Sequence, residues 1–330
     1  MSYYWVFLVA FVLSIIISPF YIKFAKKLKF GQNILEYVGE HKSKQGTPTM
    51  GGVIFIIPTI IASLFFFKSN LTIPLLCLAV FLAYSIVGFL DDFIKIKYKR
   101  NLGLRPYQKV LFQLAIALVV AFFVYRNSFL SGIFIPFAMT KFNLGWLIIP
   151  YIVLVFVATT NSVNLTDGLD GLAGGVSCVF FVCIAIISSI YLKNTADIQT
   201  EYFLQMQNIN TICLAVAGSL LGFLVFNFYP AKIFMGDTGS LGLGALIACV
   251  CIFNGTSLYI PIIGFLFVVS SLSVIIQVLH FKRTKKRIFL MAPFHHHLQH
   301  KGMYETKIVF IYIVLTIVIG YFVIALLGGV

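Results

Sequence analysis

Long apolar runs divided by short polar junctions organise this chain. Segments such as VLFQLAIALVVAFFVY lack the in/out alternation of a barrel strand and exceed the ~10 residues such a strand needs. A helical membrane crossing takes about 20 mostly apolar residues. The pattern predicts ten of them, at about 3–24, 51–67, 71–90, 108–125, 144–160, 171–192, 208–228, 239–255, 258–281 and 306–327. The second and eighth lie near the lower length limit of about 17. The expected fold is an all-α integral membrane protein, one membrane-embedded domain over residues 1–330. Between spans 4 and 5, FLSGIFIPFAMTKFNLG sets turn formers between short β-prone runs and predicts a small hairpin. The N-terminal MSYYWVFLVAF has neither a basic n-region nor a small-residue cleavage site, so it reads as a retained span.

Charge then orients the bundle. The junctions after spans 1, 3, 5, 7 and 9 hold 20 of the 24 Lys and Arg residues, leaving only Lys68, Arg126, Lys141 and Lys193 on the other side. By the positive-inside rule the basic side is cytoplasmic, and both termini face outward. The net charge of +14 is therefore a surface facing anionic membrane lipids. No basic helix or aromatic-lined groove suggests nucleic acid. The hydrophobic share of 60% and mean hydropathy of +1.01 exclude an ordinary soluble domain. All six Cys fall inside spans, without metal spacing or a disulfide framework, and read as small apolar packers.

Five of the six Asp occupy three cytoplasmic junctions, where an ionised carboxylate is costly unless compensated. Asp91 and Asp92 end span 3, with Lys95 one helical turn on. An ion-paired helix end explains them, and so does a cation site in which Lys95 contacts phosphate. NSVNLTDGLDG, Asn161 to Gly171, concentrates Asn161, Asn164, Asp167 and Asp170. One Asp as a cap of span 6 leaves the other polar groups unexplained, which favours a ligand site. FMGDTGS puts Asp237 between glycines at the start of span 8. That suits either a helix cap or a carboxylate for a hard cation such as Mg²⁺ beside phosphates. KQGTPTMGG offers Lys44 and Thr49 for an anion, outside the Walker pattern. In APFHHHLQH, His295, His296 and His297 diverge by about 100° each on a helix, so a single zinc site is a poor fit. Hydrogen bonding to phosphate, base or sugar fits better.

In that order, KxGTPTMGG, DDxxK, NxxNxTDGLDG, FMGDTGS and APxHHH across ten spans resemble the phospho-N-acetylmuramoyl-pentapeptide transferases, a branch of the polyprenyl-phosphate N-acetylhexosamine-1-phosphate transferases. The resemblance covers essentially the whole chain. It implies transfer of phospho-MurNAc-pentapeptide from UDP-MurNAc-pentapeptide to undecaprenyl phosphate, with release of UMP and formation of lipid I. It further implies Mg²⁺ as cofactor, a homodimer in the bacterial cell membrane with its site facing the cytoplasm, and sensitivity to nucleoside antibiotics. Carried over by residue, it gives Asp91, Asp92 and Asp237 catalytic roles, with Asp237 as metal ligand. It gives substrate contacts to Lys44, Thr49, Lys95, Lys109, Asn161, Asn164, Asp167, Asp170, Gln277 and His295 to His297. The chain departs from the pattern after the His run, with Gln299 where the family usually has Glu. Two other readings stand beside this one. A sister transferase using UDP-GlcNAc shares the Asp motifs but differs in the first loop and the His run. An ion-coupled transporter also carries intramembrane carboxylates, but usually near the midplane and not at span ends.

Overall fold

The computed structural model describes residues 2–28, 46–98, 103–138, 140–194 and 200–328. Its helices are α1 (Ser2–Lys27), α2 (Val53–Phe66), α3 (Thr72–Lys97), α4 (Pro106–Arg126), α5 (Ile148–Thr166), α6 (Leu172–Asn194), α7 (Thr200–Asn227) and α8 (Gly236–Phe253). These are followed by α9 (Ile260–Ile263), α10 (Phe265–Thr284), α11 (Phe294–His300) and α12 (Glu305–Gly328). Among the described residues, nine helices are long and apolar enough to cross a membrane, and α2, of 14 residues, is a shorter apolar one. The chain is an all-α multi-pass membrane protein.

Layering follows from which helices keep apolar faces for lipid. α8 is the axis: every residue from Thr238 to Phe253 is buried. α3 and α5 flank it, α7 carries α1 and α2, and α6 joins α7 to α12. Apolar burial cannot drive helix association within lipid, so close backbone approach does that work. Gly244 of α8 lies against the Thr160 backbone of α5, where a Cβ would collide with main-chain atoms. The outer helices α1, α4 and α10 expose residues such as Phe20, Val119 and Leu279, as lipid-facing surfaces should.

The predicted ninth span is broken. Gly264 ends α9, its N–H donating to the Ile260 carbonyl at 2.8 Å, and α10 starts at the next residue. Pro261 and Gly264 are the cause: proline suits a helix start and glycine a helix end. The predicted hairpin is present as β1 (Gly132–Phe134) and β2 (Lys141–Asn143), antiparallel with Ile133 opposite Phe142. It is fastened to the bundle through the Phe134 N–H, which donates to the Gly255 carbonyl at 2.8 Å, and through Phe134 stacked on Tyr191. The six cysteines are unlinked, and all but the half-buried Cys178 are fully buried.

α4 leads from the Asp91 end of the bundle to the hairpin, and α5 returns from the hairpin to Asp167. Hairpin and acidic junctions therefore lie at opposite ends. Cysteine placed at exposed Lys286 should react with a membrane-impermeant maleimide only from the cytoplasm, and cysteine at exposed Ser128 only from outside. The native thiols, buried within the bundle, should stay silent. Labelling of both positions from one side would overturn the orientation derived from charge.

Candidate active site

The site is assembled at the start of α8. Met235 precedes this helix and supplies no side-chain cap. The free N–H groups are met instead by a carboxylate from another helix. Asp92 Oδ1 accepts from the Asp237 N–H at 3.2 Å, and its Oδ2 accepts from the Thr238 N–H at 2.9 Å and the Thr238 hydroxyl at 2.7 Å. A carboxylate at the positive end of a helix is favourable on both hydrogen-bond and dipole grounds. The approach depends on two glycines. Gly88, one turn before Asp92, faces the Asp237 carbonyl with no room for a Cβ. Gly236 adopts φ +72°, and a Cβ there would run into Asp92 Oδ2 and the Thr49 hydroxyl.

Asp237 then points into a cluster of charge. Its Oδ2 meets the Lys109 ammonium at 2.6 Å and the Lys95 ammonium at 3.1 Å, and its Oδ1 accepts from the Asn164 amide at 2.8 Å. Lys95 also meets Asp91 at 2.6 Å, as the i,i+4 spacing predicts. The other oxygen of Asp91 accepts from the Leu104 N–H at 2.8 Å, tying the approach to α4 to the end of α3. Asp91 and Asp92 are both nearly inaccessible. One oxygen from each of Asp91, Asp92 and Asp237 lies within 4.8 Å of the others. Clustered carboxylate oxygens are the donor set a hard divalent cation takes, and the soft sulfur ligands of the chain lie elsewhere.

The α5–α6 junction closes one side. Asp167 ends α5, and its carboxylate has no hydrogen-bond partner among the described residues. Burial, with the carboxylates of Asp237, Asp92 and Asp170 adding to it, pushes its pKa well above the usual range. Gly168 has no space for a side chain because the rings of His295 and His296 rest there. This contact brings α11 to the acidic junctions. His295 is fully buried, with neither ring nitrogen hydrogen-bonded among the described residues. Desolvation, reinforced by His296, holds it well below the ordinary imidazole pKa, and so neutral.

Other residues singled out from sequence are engaged with the protein itself. The Asn161 amide donates to Gln113 Oε1 and to the Val157 carbonyl, one turn deeper than Asn164. Asp170 accepts from the Ala231 N–H at 3.0 Å, while its own N–H donates to Glu305 at 2.7 Å. Gln277 binds the backbone of Ile288 and Phe289 at both ends of its amide, holding the stretch that follows α10. His297 accepts from the Leu290 N–H, and His296 pairs with Gln299. Thr49 is buried in a segment joined to the α7–α8 junction by backbone bonds from Gly51 to Phe234, Gly52 to Met235 and Phe234 to Pro48. Lys44 lies outside the described residues.

Sequence reasoning missed Thr238, Ser240, Asn227 and Glu305. Ser240 accepts from Asn164, and Asn227 accepts from the Gly171 N–H. Thr238 stood inside a motif already singled out, so its hydroxyl was a readable signal. Glu305 is one of four Glu in the chain and begins a span, a weaker signal of the same kind.

The chain is also similar in sequence to known proteins. Residues 72–255 match the model of glycosyl transferase family 4, and residues 44–56 match signature 1 of phospho-N-acetylmuramoyl-pentapeptide-transferase. The chain is 43% identical to the phospho-N-acetylmuramoyl-pentapeptide-transferase of Clostridioides difficile (strain 630), covering 95% of this chain and 94% of that one. It is 43% identical to the enzyme of the same name from Clostridium novyi (strain NT), covering 94% and 93%. The relative from Thermoanaerobacter sp. (strain X514), again of that name, is also 43% identical, covering 94% of each chain.

Gly88→Ala should push α3 from the start of α8, because the obstructing atoms are backbone. The expected loss is about 1–3 kcal/mol of stability, the range for overpacking a tight interior. Thermal unfolding in detergent reads it. An unchanged midpoint together with unchanged turnover would show that the close approach is not needed.

Proposed function

The chain belongs to the phospho-N-acetylmuramoyl-pentapeptide transferase family, and on that premise we propose that it moves phospho-MurNAc-pentapeptide from UDP-MurNAc-pentapeptide to undecaprenyl phosphate. The products are lipid I and UMP, and the setting is the cytoplasmic face of a bacterial cell membrane. The observation that carries this reading is the meeting of three carboxylates and two lysines at helix ends. One substrate is soluble and polyanionic, and the other is a phosphate whose chain stays in the bilayer. A site at the boundary reaches both.

An oxygen of the lipid phosphate attacks the phosphorus bonded to the sugar, and the bridging P–O bond to UMP breaks. Phosphate monoesters have a second pKa near 6, so the acceptor is mostly dianionic at neutral pH and scarcely needs a general base. Both oxygens of Asp92 are committed to the α8 N-terminus, and one of Asp91 to the Leu104 N–H. That commitment favours direct attack over a covalent aspartyl intermediate. Asp237, with Asp91 and Asp92, would hold Mg²⁺, which supplies charge neutralisation at the diphosphate. Lys95 and Lys109 provide positive charge for phosphate oxygens, and Asn164 fixes the Asp237 rotamer. Asp167, the His295–His297 run and Thr49 belong to the walls around the sugar and nucleotide, with Lys44 on the loop leading in. Asn161, Asp170 and Gln277 shape those walls through the backbone they hold. A homodimer and inhibition by nucleoside antibiotics complete the proposal.

Two measurements test it. In competition between UDP-MurNAc-pentapeptide and UDP-GlcNAc for one polyprenyl phosphate, the muramyl product should lead by at least ~100-fold, the scale of about two lost polar contacts. A GlcNAc-diphospho-lipid as main product places the chain in the sister branch, and no UMP release at all returns the transporter reading. For the mechanism, enzyme mixed with UDP-MurNAc-pentapeptide alone should give no burst of UMP. A burst equal to the enzyme concentration would establish the two-step route.

A further inference from the structure

Resting on that reading and deepening it, we propose that Lys95 and Lys109 are resident counter-cations of the carboxylate cluster. They occupy the place that a divalent cation takes, and its arrival releases them to the diphosphate. The evidence is the crowding at a single atom. Asp237 Oδ2 receives two ammonium groups, from Lys109 at 2.6 Å and Lys95 at 3.1 Å, while Asn164 fills the other oxygen. Lys95 then bridges to Asp91. Asp91, Asp92 and Asp237 outnumber Lys95 and Lys109 by one formal charge.

Three carboxylates with oxygens within 4.8 Å repel strongly away from bulk water, so a cluster without counter-charge would spread apart. The lysines keep it assembled before any ligand binds. A hard cation seeks the same oxygens, and like charges exclude one another there. Asp92 is pinned by a helix terminus and Asn164 by two acceptors on α8, whereas lysine ends a flexible four-carbon stem. The side chains of Lys95 and Lys109 are 28% and 18% exposed, so neither is sealed inside the bundle. The lysines are thus the movable members of the cluster.

Manganese titration followed by electron paramagnetic resonance, on the purified full chain without nucleotide, tests this. Lys95→Gln and Lys109→Gln should each bind Mn²⁺ about tenfold tighter than wild type or more, since one competing charge is gone. Lys109→Arg, which keeps the charge, should stay close to wild type, and Asp237→Asn should abolish binding. In EDTA, Lys109→Gln should unfold at a lower temperature than wild type and recover more on adding Mn²⁺. Lys109 meets only Asp237 among the described residues, so it decides the matter if Lys95→Gln does not fold. Unchanged or weaker Mn²⁺ binding in the Gln variants, with wild type binding and Asp237→Asn not, overturns the role of the lysines while the metal site survives. No saturable Mn²⁺ binding to any of these proteins removes both.

Discussion

The carboxylate of Asp92 on the N-terminus of α8 is the interaction on which the site depends. A buried helix start leaves N–H groups that lipid and apolar side chains cannot satisfy. Here a side chain on α3 satisfies them, and so fixes where Asp237 begins its helix. The bond also compensates Asp92 itself, a carboxylate held almost wholly out of water. Removing either partner strands the other. That mutual dependence sets the separation of α3 and α8, and Gly88 and Gly236 are small because nothing larger fits the distance it imposes.

From that fixed point the charged groups arrange themselves by reach. Asp91 follows from its neighbour's position. Lys95 follows from helical periodicity, and Lys109 from the start of α4 facing the same gap. Asn164 and the α5–α6 junction close a third side, and α11 closes it further through His295 and His296 on Gly168. The charged groups thus all sit at helix ends or in the short junctions between them.

The membrane class and nearly all spans were legible from apolar run length alone, because lipid demands that length. The break at Gly264 was not, since PIIG is as apolar as its surroundings and run length passes over the Pro and Gly that divide it. The Asp91–Lys95 pair was readable from helical spacing. The cap of Asp92 on α8 was not, for it joins residues some 145 positions apart. Composition likewise could not separate Asn161 from Asn164. Three residues apart on one helix, they differ in depth, and only the packed structure shows one facing Gln113 and the other Asp237. The Gln277 amide is a similar case: it points at its own chain, a fact set by the turn after α10.

The enclosure of α8 has a mechanical consequence. Bilayer thickness and lipid packing exert their forces on helices that touch lipid, by tilting or shifting them to match the hydrocarbon layer. α8, at 18 residues the shortest of the nine long spans, touches almost none. Its neighbours α3 and α5 meet lipid on their outer sides, through residues such as Ile86 and Leu154, and stand between it and α8. Asp237 therefore stands at a depth measured from the protein and not from the membrane. The start of α8 keeps its place while the surrounding shell follows the lipid, so under the proposed reaction a change of lipid composition bears on delivery of the acceptor and on Lys109, which the outer helix α4 carries, before it reaches Asp237.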